Sequence, residues 1–264
     1  MGLSRIKALL CRAFFMPVVL PFSLFFPGVA GAVCERYIDD RPIEVTYIYD
    51  GDTLRLADGR KVRLIGINTP EMGRDGQADD PGAKAASRQL EELLEASDRL
   101  VHLLTGSEKR DRYKRLLAHV YDQKGESITE QLLRMGAGYA VVIPPNLKNL
   151  DCYQLAESRA RKQRRGVWKS HRHTLDSLRM RGDEAGFHLI RGQIERVGSS
   201  RKSLWLNLKD APAIRIDWSD WDYFPKWVPD NLLGRRLEVR GWIYHSKGQQ
   251  RMRIHHPAAI RWLD

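Results

Sequence analysis

The sequence predicts an α+β chain, mainly β, built as two small β-barrels in succession, the first five-stranded and carrying three helices. Three observations lead there. Alternating apolar and polar residues near the start are broken by Asp-Gly turns. Segments of helical periodicity are interposed between later strands. A tail of under eighty residues then holds five more short alternating segments.

The elements follow in order. Residues 43–49 alternate, Asp50-Gly51-Asp52 turns, 53–56 alternate again, Asp58-Gly59 turns, and 61–67 form a third strand. Alternation interrupted by Asp-Gly is a strong hairpin signal, so the block opens as a three-stranded meander. A polar loop over 68–82 leads to a helix over 83–96, with Leu90, Leu93 and Leu94 on one face. Strands are expected near 100–104 and 116–121, then a helix over 128–135 capped by Ser127 or Thr129. After Pro144-Pro145-Asn146 comes a strongly basic helix over 151–165. Five strands with helices at these spacings fit a Greek-key barrel of the OB type. The polar stretch 171–186 lacks periodicity and reads as a linker. The segments L-I-R-G-Q-I-E-R-V, S-L-W-L-N-L, A-I-R-I-D-W, R-L-E-V-R-G-W-I-Y and R-M-R-I make 187–264 a second, OB-like barrel.

Residues 1–32 carry Arg5, Lys7 and Arg12, no acids, an apolar run and the small-residue site Ala30-Gly31-Ala32. That is the layout of a secretory signal peptide. An uncleaved anchor is the alternative, against which stand Pro17, Pro21 and Pro27 and the cleavage-type site. Cleavage lowers the formal charge from +11 to +8, still basic enough to favour a polyanion. The expectation is an exported protein, periplasmic or secreted, monomeric and without stable membrane association afterwards. Of three cysteines, Cys11 falls in the signal segment, which leaves Cys34 and Cys152. An even pair in an oxidising compartment predicts one disulfide, with two unrelated thiols as the alternative.

The meander gathers hard oxygen donors and guanidinium groups: Asp50 and Asp52 at the first turn, Arg63 on the third strand, and Asn68-Thr69-Pro70-Glu71 beyond it. Arg110-Asp111-Arg112-Tyr113-Lys114-Arg115 precedes the fifth strand. Phosphodiester cleavage needs these types: oxygens for a cation, a base for water, and planar guanidiniums for the charge on phosphorus. Singly each has a bland reading: turn formers at Asp50 and Asp52, a solvated Arg63, a helix-end Glu71.

Together, Y-D-G-D-T-L-R-L, R-L-I-G-I-N-T-P-E and D-R-Y-K-R-L-L-A-H-V-Y resemble the thermonuclease (staphylococcal nuclease-like) family over roughly residues 42–170. The resemblance implies a calcium ion (Ca2+) held by Asp52, by Asn68 and by the carbonyl of Thr69, with Asp50 shaping the turn. It implies Glu71 as general base or orienter of water, Arg63 and Arg115 as phosphate binders, and Tyr113 beside a terminal phosphate. The implied reaction is hydrolysis of DNA or RNA, leaving 3′-phosphate ends.

Three positions depart from the family pattern. Asn68 stands in place of a carboxylate, removing one negative charge from the site. Lys114 stands in place of glycine, which costs about 1 kcal/mol if that residue needs positive φ and could re-aim Arg115. Val141 and Ile143 replace two base-stacking aromatics, at roughly 1–3 kcal/mol per lost stack.

Other features carry less. The acidic loop 75–80 reads as a solvated turn rather than an extension of the metal site. His171 and His173, with no ligand partners at metal spacing, read as solvated. Arg159, Arg161, Lys162, Arg164 and Arg165 on the third helix are equally a phosphate contact or a solvated face. In the tail, Trp205, Trp218, Trp221, Trp227, Trp242 and Trp262 lie among Lys202, Arg215, Arg240, Arg251 and Arg253, which suits a single-strand-binding auxiliary barrel or, if the tryptophans fill a core, a purely structural appendage. A catalytically weak nucleic-acid- or polyanion-binding protein on the same scaffold is the competing function.

Overall fold

In the computed structural model, residues 34–73, 76–170 and 174–264 are described, and the signal-peptide reading falls outside them. The described residues belong to one compact unit. No helix among them is long and apolar enough to cross a membrane.

The chain runs β1 (Ile43–Asp50), β2 (Thr53–Leu56), β3 (Lys61–Leu64), β4 (Ile67–Asn68), α1 (Ala83–Glu95), β5 (Leu100–Arg110), β6 (Leu116–Tyr121), α2 (Ile128–Met135), β7 (Tyr139–Ala140) and α3 (Leu150–Lys162). Strands β1-β2-β3-β6-β5 close a barrel in which only β3 and β6 run parallel. The inward sides of these strands bury Val45, Leu54, Leu56, Val62, Leu64, Ala118 and Val120. Ala86, Leu90 and Leu94 of α1 join that core, with Leu93 half-buried at its edge.

The expected third strand over 61–67 is broken. β3 ends at Leu64, and the chain turns at Gly66, whose φ is 89°. A Cβ there would lie 2.3 Å from the Tyr153 ring, so α3 presses on bare backbone. Beyond the turn, β4 leaves the barrel and pairs with β7. Of the two capping residues considered for α2, Ser127 is the cap, its Oγ accepting the Glu130 N–H at 3.3 Å. Thr129 instead donates to the Ile65 carbonyl at 3.1 Å. Cys34 and Cys152 have Cα atoms 5.3 Å apart with their sulfurs paired, a spacing a disulfide accommodates.

The second half contains β8 (Thr174–Asp176), β9 (Gly186–Ser199), β10 (Ser203–Leu208), β11 (Ala213–Asp217), β12 (Arg236–Ser246), β13 (Gln249–Ile254) and β14 (Ile260–Trp262). Pairing of β12 with β9 closes the ring β9-β10-β11-β13-β12. That is the strand order of the first barrel, with its parallel pair again between third and fifth strands. Part of the segment read as a linker is not a tether: β8 pairs in parallel with β9 over Thr174–Leu189 to Asp176–Arg191. One apolar residue, Leu175, in a three-residue strand leaves no periodicity to detect.

Charged pairs join α3 to the second barrel. Buried Glu238 of β12 receives both Arg161 Nη1 and Nη2, at 2.5 and 2.6 Å, and Arg191 Nε at 2.8 Å. Buried Glu157 of α3 accepts the Ala140 N–H at 2.7 Å and Arg240 Nη1 at 2.6 Å. Arg161 is therefore neither a phosphate contact nor solvated, whereas Arg159, Lys162, Arg164 and Arg165 do form an exposed face.

Candidate active site

The turn between β1 and β2 encloses two buried carboxylates, Asp50 and Asp52. The Asp52 N–H donates to Asp50 Oδ1 at 3.0 Å, the local bond that lets aspartate shape a turn. Gly51 lies against α1 so closely that a Cβ would come 2.6 Å from the Ala86 Cβ. Asp52 Oδ1 accepts the Thr53 hydroxyl at 3.0 Å, and Oδ2 accepts the Thr69 N–H at 2.8 Å. Burial pushes the Asp50 carboxyl up, and the neighbouring charge of Asp52 adds to it, to about 7. Glu71 acts on Asp50 in the same direction and Arg63 against it.

Arg63 is not a solvated strand residue; its side chain is only 12% exposed. Nη1 donates to the carbonyls of Leu64 at 2.7 Å and Ile67 at 2.8 Å, fixing the guanidinium on the turn that ends β3. Nη2 lies 3.1 Å from Asp52 Oδ2 and donates to Asn68 Oδ1 at 3.3 Å.

Glu71 follows Pro70 and is exposed. Asp80 clasps its backbone: the Glu71 N–H donates to Asp80 Oδ2 at 3.1 Å and the Asp80 N–H donates to the Glu71 carbonyl at 2.9 Å. Asp79 accepts the Gly73 N–H at 2.9 Å and pairs with Lys84 at 3.2 Å. The described part of the acidic loop is the exposed turn expected, and through Asp79 and Asp80 it also braces the Glu71 segment. Asp75, His171 and His173 lie outside the described residues.

Arg115 is aimed by Asp111. Asp111 Oδ2 accepts Arg115 Nε at 2.7 Å, while Oδ1 accepts the N–H groups of Tyr113 and Arg115, both at 2.9 Å. Lys114 does take the left-handed conformation, φ 63°, where the family pattern has glycine. The double clasp by Asp111 holds the turn despite that cost. Arg115 Nη1 reaches Thr53 Oγ1 at 3.4 Å. Thr53 consequently links Arg115 to Asp52 and through it to Arg63. Tyr113 is 64% exposed beside the Arg112 and Arg115 guanidiniums.

Arg63, Asn68, Glu71, Tyr113 and Arg115 line one cleft of about 670 Å³, with Val141 and Ile143 on its apolar side. Trp242, Arg253 and His255 of the second barrel line it as well. The residues expected to act together are therefore assembled, with Asp52 and Asp50 beneath them. Sequence reasoning missed Thr53, Asp80 and Asp111, whose roles are hydrogen bonds across the turn rather than motif positions. It placed Trp242 in the tail with no means of bringing it to this cleft.

Among the described residues, no three His, Cys, Asp or Glu side chains are grouped to hold a metal ion. The donors present, the carboxylate of Asp52, the amide oxygen of Asn68 and the carbonyl of Thr69, are nevertheless all hard oxygens, the type a calcium ion takes. The residues fit such an ion with one fewer charged ligand than a carboxylate at position 68 would give.

The family model described as Staphylococcal nuclease homologue matches residues 61–170, beginning after the Asp50–Asp52 turn. A thermonuclease of Staphylococcus hyicus is 30% identical over 135 residues, 50% of this chain and 78% of that protein. Endonuclease YncB of Bacillus subtilis is 35% identical over 123 residues, 45% of this chain and 57% of its own. The SPbeta prophage-derived endonuclease YokF of the same organism is 32% identical over 143 residues, 54% of this chain and 45% of its own. The chain thus spans about half the length of these two Bacillus relatives. Over its first barrel, and by coverage of most of a thermonuclease, the chain belongs to the staphylococcal nuclease family.

Proposed function

We propose that the protein is an exported, calcium-dependent nuclease that hydrolyses phosphodiester bonds of DNA or RNA and leaves 3′-phosphate ends. The observation that carries this reading is the shared cleft of Glu71, Arg63 and Arg115 above Asp52 and Asn68. A binding protein needs no carboxylate base there. The names of the relatives, thermonuclease and endonuclease, support the same class.

In this reading Asp52, Asn68 and the Thr69 carbonyl would hold the cation. When bound, it would neutralise phosphate charge and make an associated water more acidic. Arg115, pre-aimed by Asp111, binds a non-bridging oxygen of the scissile phosphate. Arg63 supplies the second guanidinium, matching the extra charge of the pentacoordinate phosphorus. Glu71 accepts the proton of the attacking water, which displaces the 5′-oxygen.

The alternative is a catalytically weak nucleic-acid binder, favoured by Arg63 being bonded to Asp52 and Asn68, two of the proposed ligands. Digestion of single-stranded DNA and RNA by residues 33–264, with calcium or chelator, separates the two. Calcium-dependent cleavage that falls at least 100-fold in Glu71→Ala is expected. Asn68→Asp should lower the calcium concentration for half-maximal activity about tenfold. Binding without cleavage under any divalent ion establishes the alternative.

A further inference from the structure

Six tryptophans sit in the second half, and five of them are at least half-buried. Trp221 and Trp227 pack on Phe224, Trp218 packs on Trp221, Trp262 packs on Trp227, and Trp205 lies beneath Arg251. Trp242 of β12 is different. It is 41% exposed, the one tryptophan among the exposed large apolar side chains of the described residues.

Its position is specific. Trp242 lines the 670 Å³ cleft that holds Arg63, Arg115 and Glu71. It also lines an adjoining cavity of about 290 Å³ with Asn68, Thr69, Glu71 and Asp80. Trp242, Glu71 and Asn68 border both spaces, so the indole stands where the two meet, together with the candidate base. The ring is buttressed from behind. Phe187 meets it edge-on at 5.0 Å between centroids, and Phe187 rests in turn on Tyr139 of the first barrel at 5.4 Å. A large aromatic held by a second aromatic pays little conformational entropy when a ligand stacks on it.

On the first barrel's own wall, the cleft offers Val141 and half-exposed Ile143, neither able to stack a base, and one aromatic, Tyr113, whose ring lies against the Arg112 and Arg115 guanidiniums. The ligand that passes Arg63 and Arg115 is an anionic backbone, and every nucleotide brings a flat π-face with it. Indole beside guanidiniums is the combination that binds single strands without reading sequence.

Resting on the nuclease reading above, we propose that Trp242 is the base-stacking platform of the cleft. The second barrel would thereby complete the substrate site and direct it to single-stranded nucleic acid. A duplex keeps its base faces stacked and can present none to the indole without paying for unstacking.

The test is steady-state cleavage of a single-stranded oligonucleotide by the full mature chain, wild type beside Trp242→Ala and Trp242→Phe. Trp242→Ala should raise KM roughly tenfold, with the larger part of the loss in KM rather than kcat, and Trp242→Phe should recover most of it. In Glu71→Gln, which holds substrate without cutting, the same oligonucleotide should quench tryptophan fluorescence, and the quench should vanish in Glu71→Gln/Trp242→Phe. Thermal melts exclude misfolding as the cause. Wild type that cleaves while Trp242→Ala keeps its KM overturns this proposal and leaves the nuclease intact. Wild type that fails to cleave under any divalent ion overturns the nuclease reading first, and the fluorescence quench alone then decides whether Trp242 binds single strands.

Discussion

At the scale of single residues, the molecule repeatedly spends a polar side chain on holding another in place. Asp111 fixes Arg115, Asp80 fixes the backbone of Glu71, and Thr53 bridges Asp52 and Arg115. His119 is a further buried case, its Nδ1 2.9 Å from the Tyr153 hydroxyl. Burial holds its imidazole down at about 4, with the Lys148 charge adding to the effect. The unfolded chain therefore takes up a proton near pH 6.5 that the native protein refuses until about pH 4. Stability should fall as pH drops between those values, by at most about 3 kcal/mol, and then level off for this group. Urea titrations at pH 7.5 and 4.5 would measure it; His119→Gln should flatten that dependence, and an unchanged slope would refute the assignment.

At the scale of elements, periodicity recovered α1, α2 and the strands of both barrels closely, because each has one buried face. The ends it missed have physical causes. The third strand was expected to run to Ile67 because I-G-I is apolar throughout, yet Gly66 turns under the Tyr153 ring. Strand β5 continues to Arg110 along an exposed edge where no burial pattern exists to be read. The basic helix α3 was read nearly to its ends, but the role of its charges was not legible, since Glu157 and Arg161 meet partners about eighty residues away. Arg240→Ala would leave the nearly buried Glu157 without its cation. Breaking such a pair from one side costs about 3 kcal/mol, so the urea midpoint should drop sharply, and a change under 1 kcal/mol would show the pair to be solvent-screened. Glu238 sits deeper: burial favours its neutral form, but the bonds from Arg161 and Arg191 prevail and draw its carboxyl down to about 2. Its contribution is present above pH 4.5 and lost only as pH falls toward 2.

At the scale of the whole molecule, motif spacing placed Asp52, Arg63, Glu71 and Arg115 in one site because all four belong to a single barrel. It could not place Trp242 there, since only tertiary packing brings this β12 residue to the cleft that Asn68 of β4 lines. The Cys34–Cys152 pairing spans 118 residues of sequence and ties the segment ahead of β1 to α3. A bond closing a loop of that length contributes about 5 kcal/mol by restricting the unfolded chain. Reduction with dithiothreitol should accordingly lower the unfolding free energy by several kcal/mol, and Cys34→Ser should reproduce the loss. Indifference to reductant would mean the thiols are not bonded in solution.

One helix, α3, thus serves two barrels at once, and this bears on how far the halves can be handled as cassettes. A fragment starting at residue 187 would uncover Glu238 and strip it of Arg161. A chain stopped at residue 170 would take Arg240 from Glu157 and leave Tyr139 without Phe187. Severing the chain yields two pieces, each with a carboxylate that has lost a guanidinium to the other, Glu157 its Arg240 and Glu238 its Arg161, while Arg191 and Arg261 stay with Glu238. Transplanting the second barrel onto a different nuclease would require moving the charged face of α3 along with it.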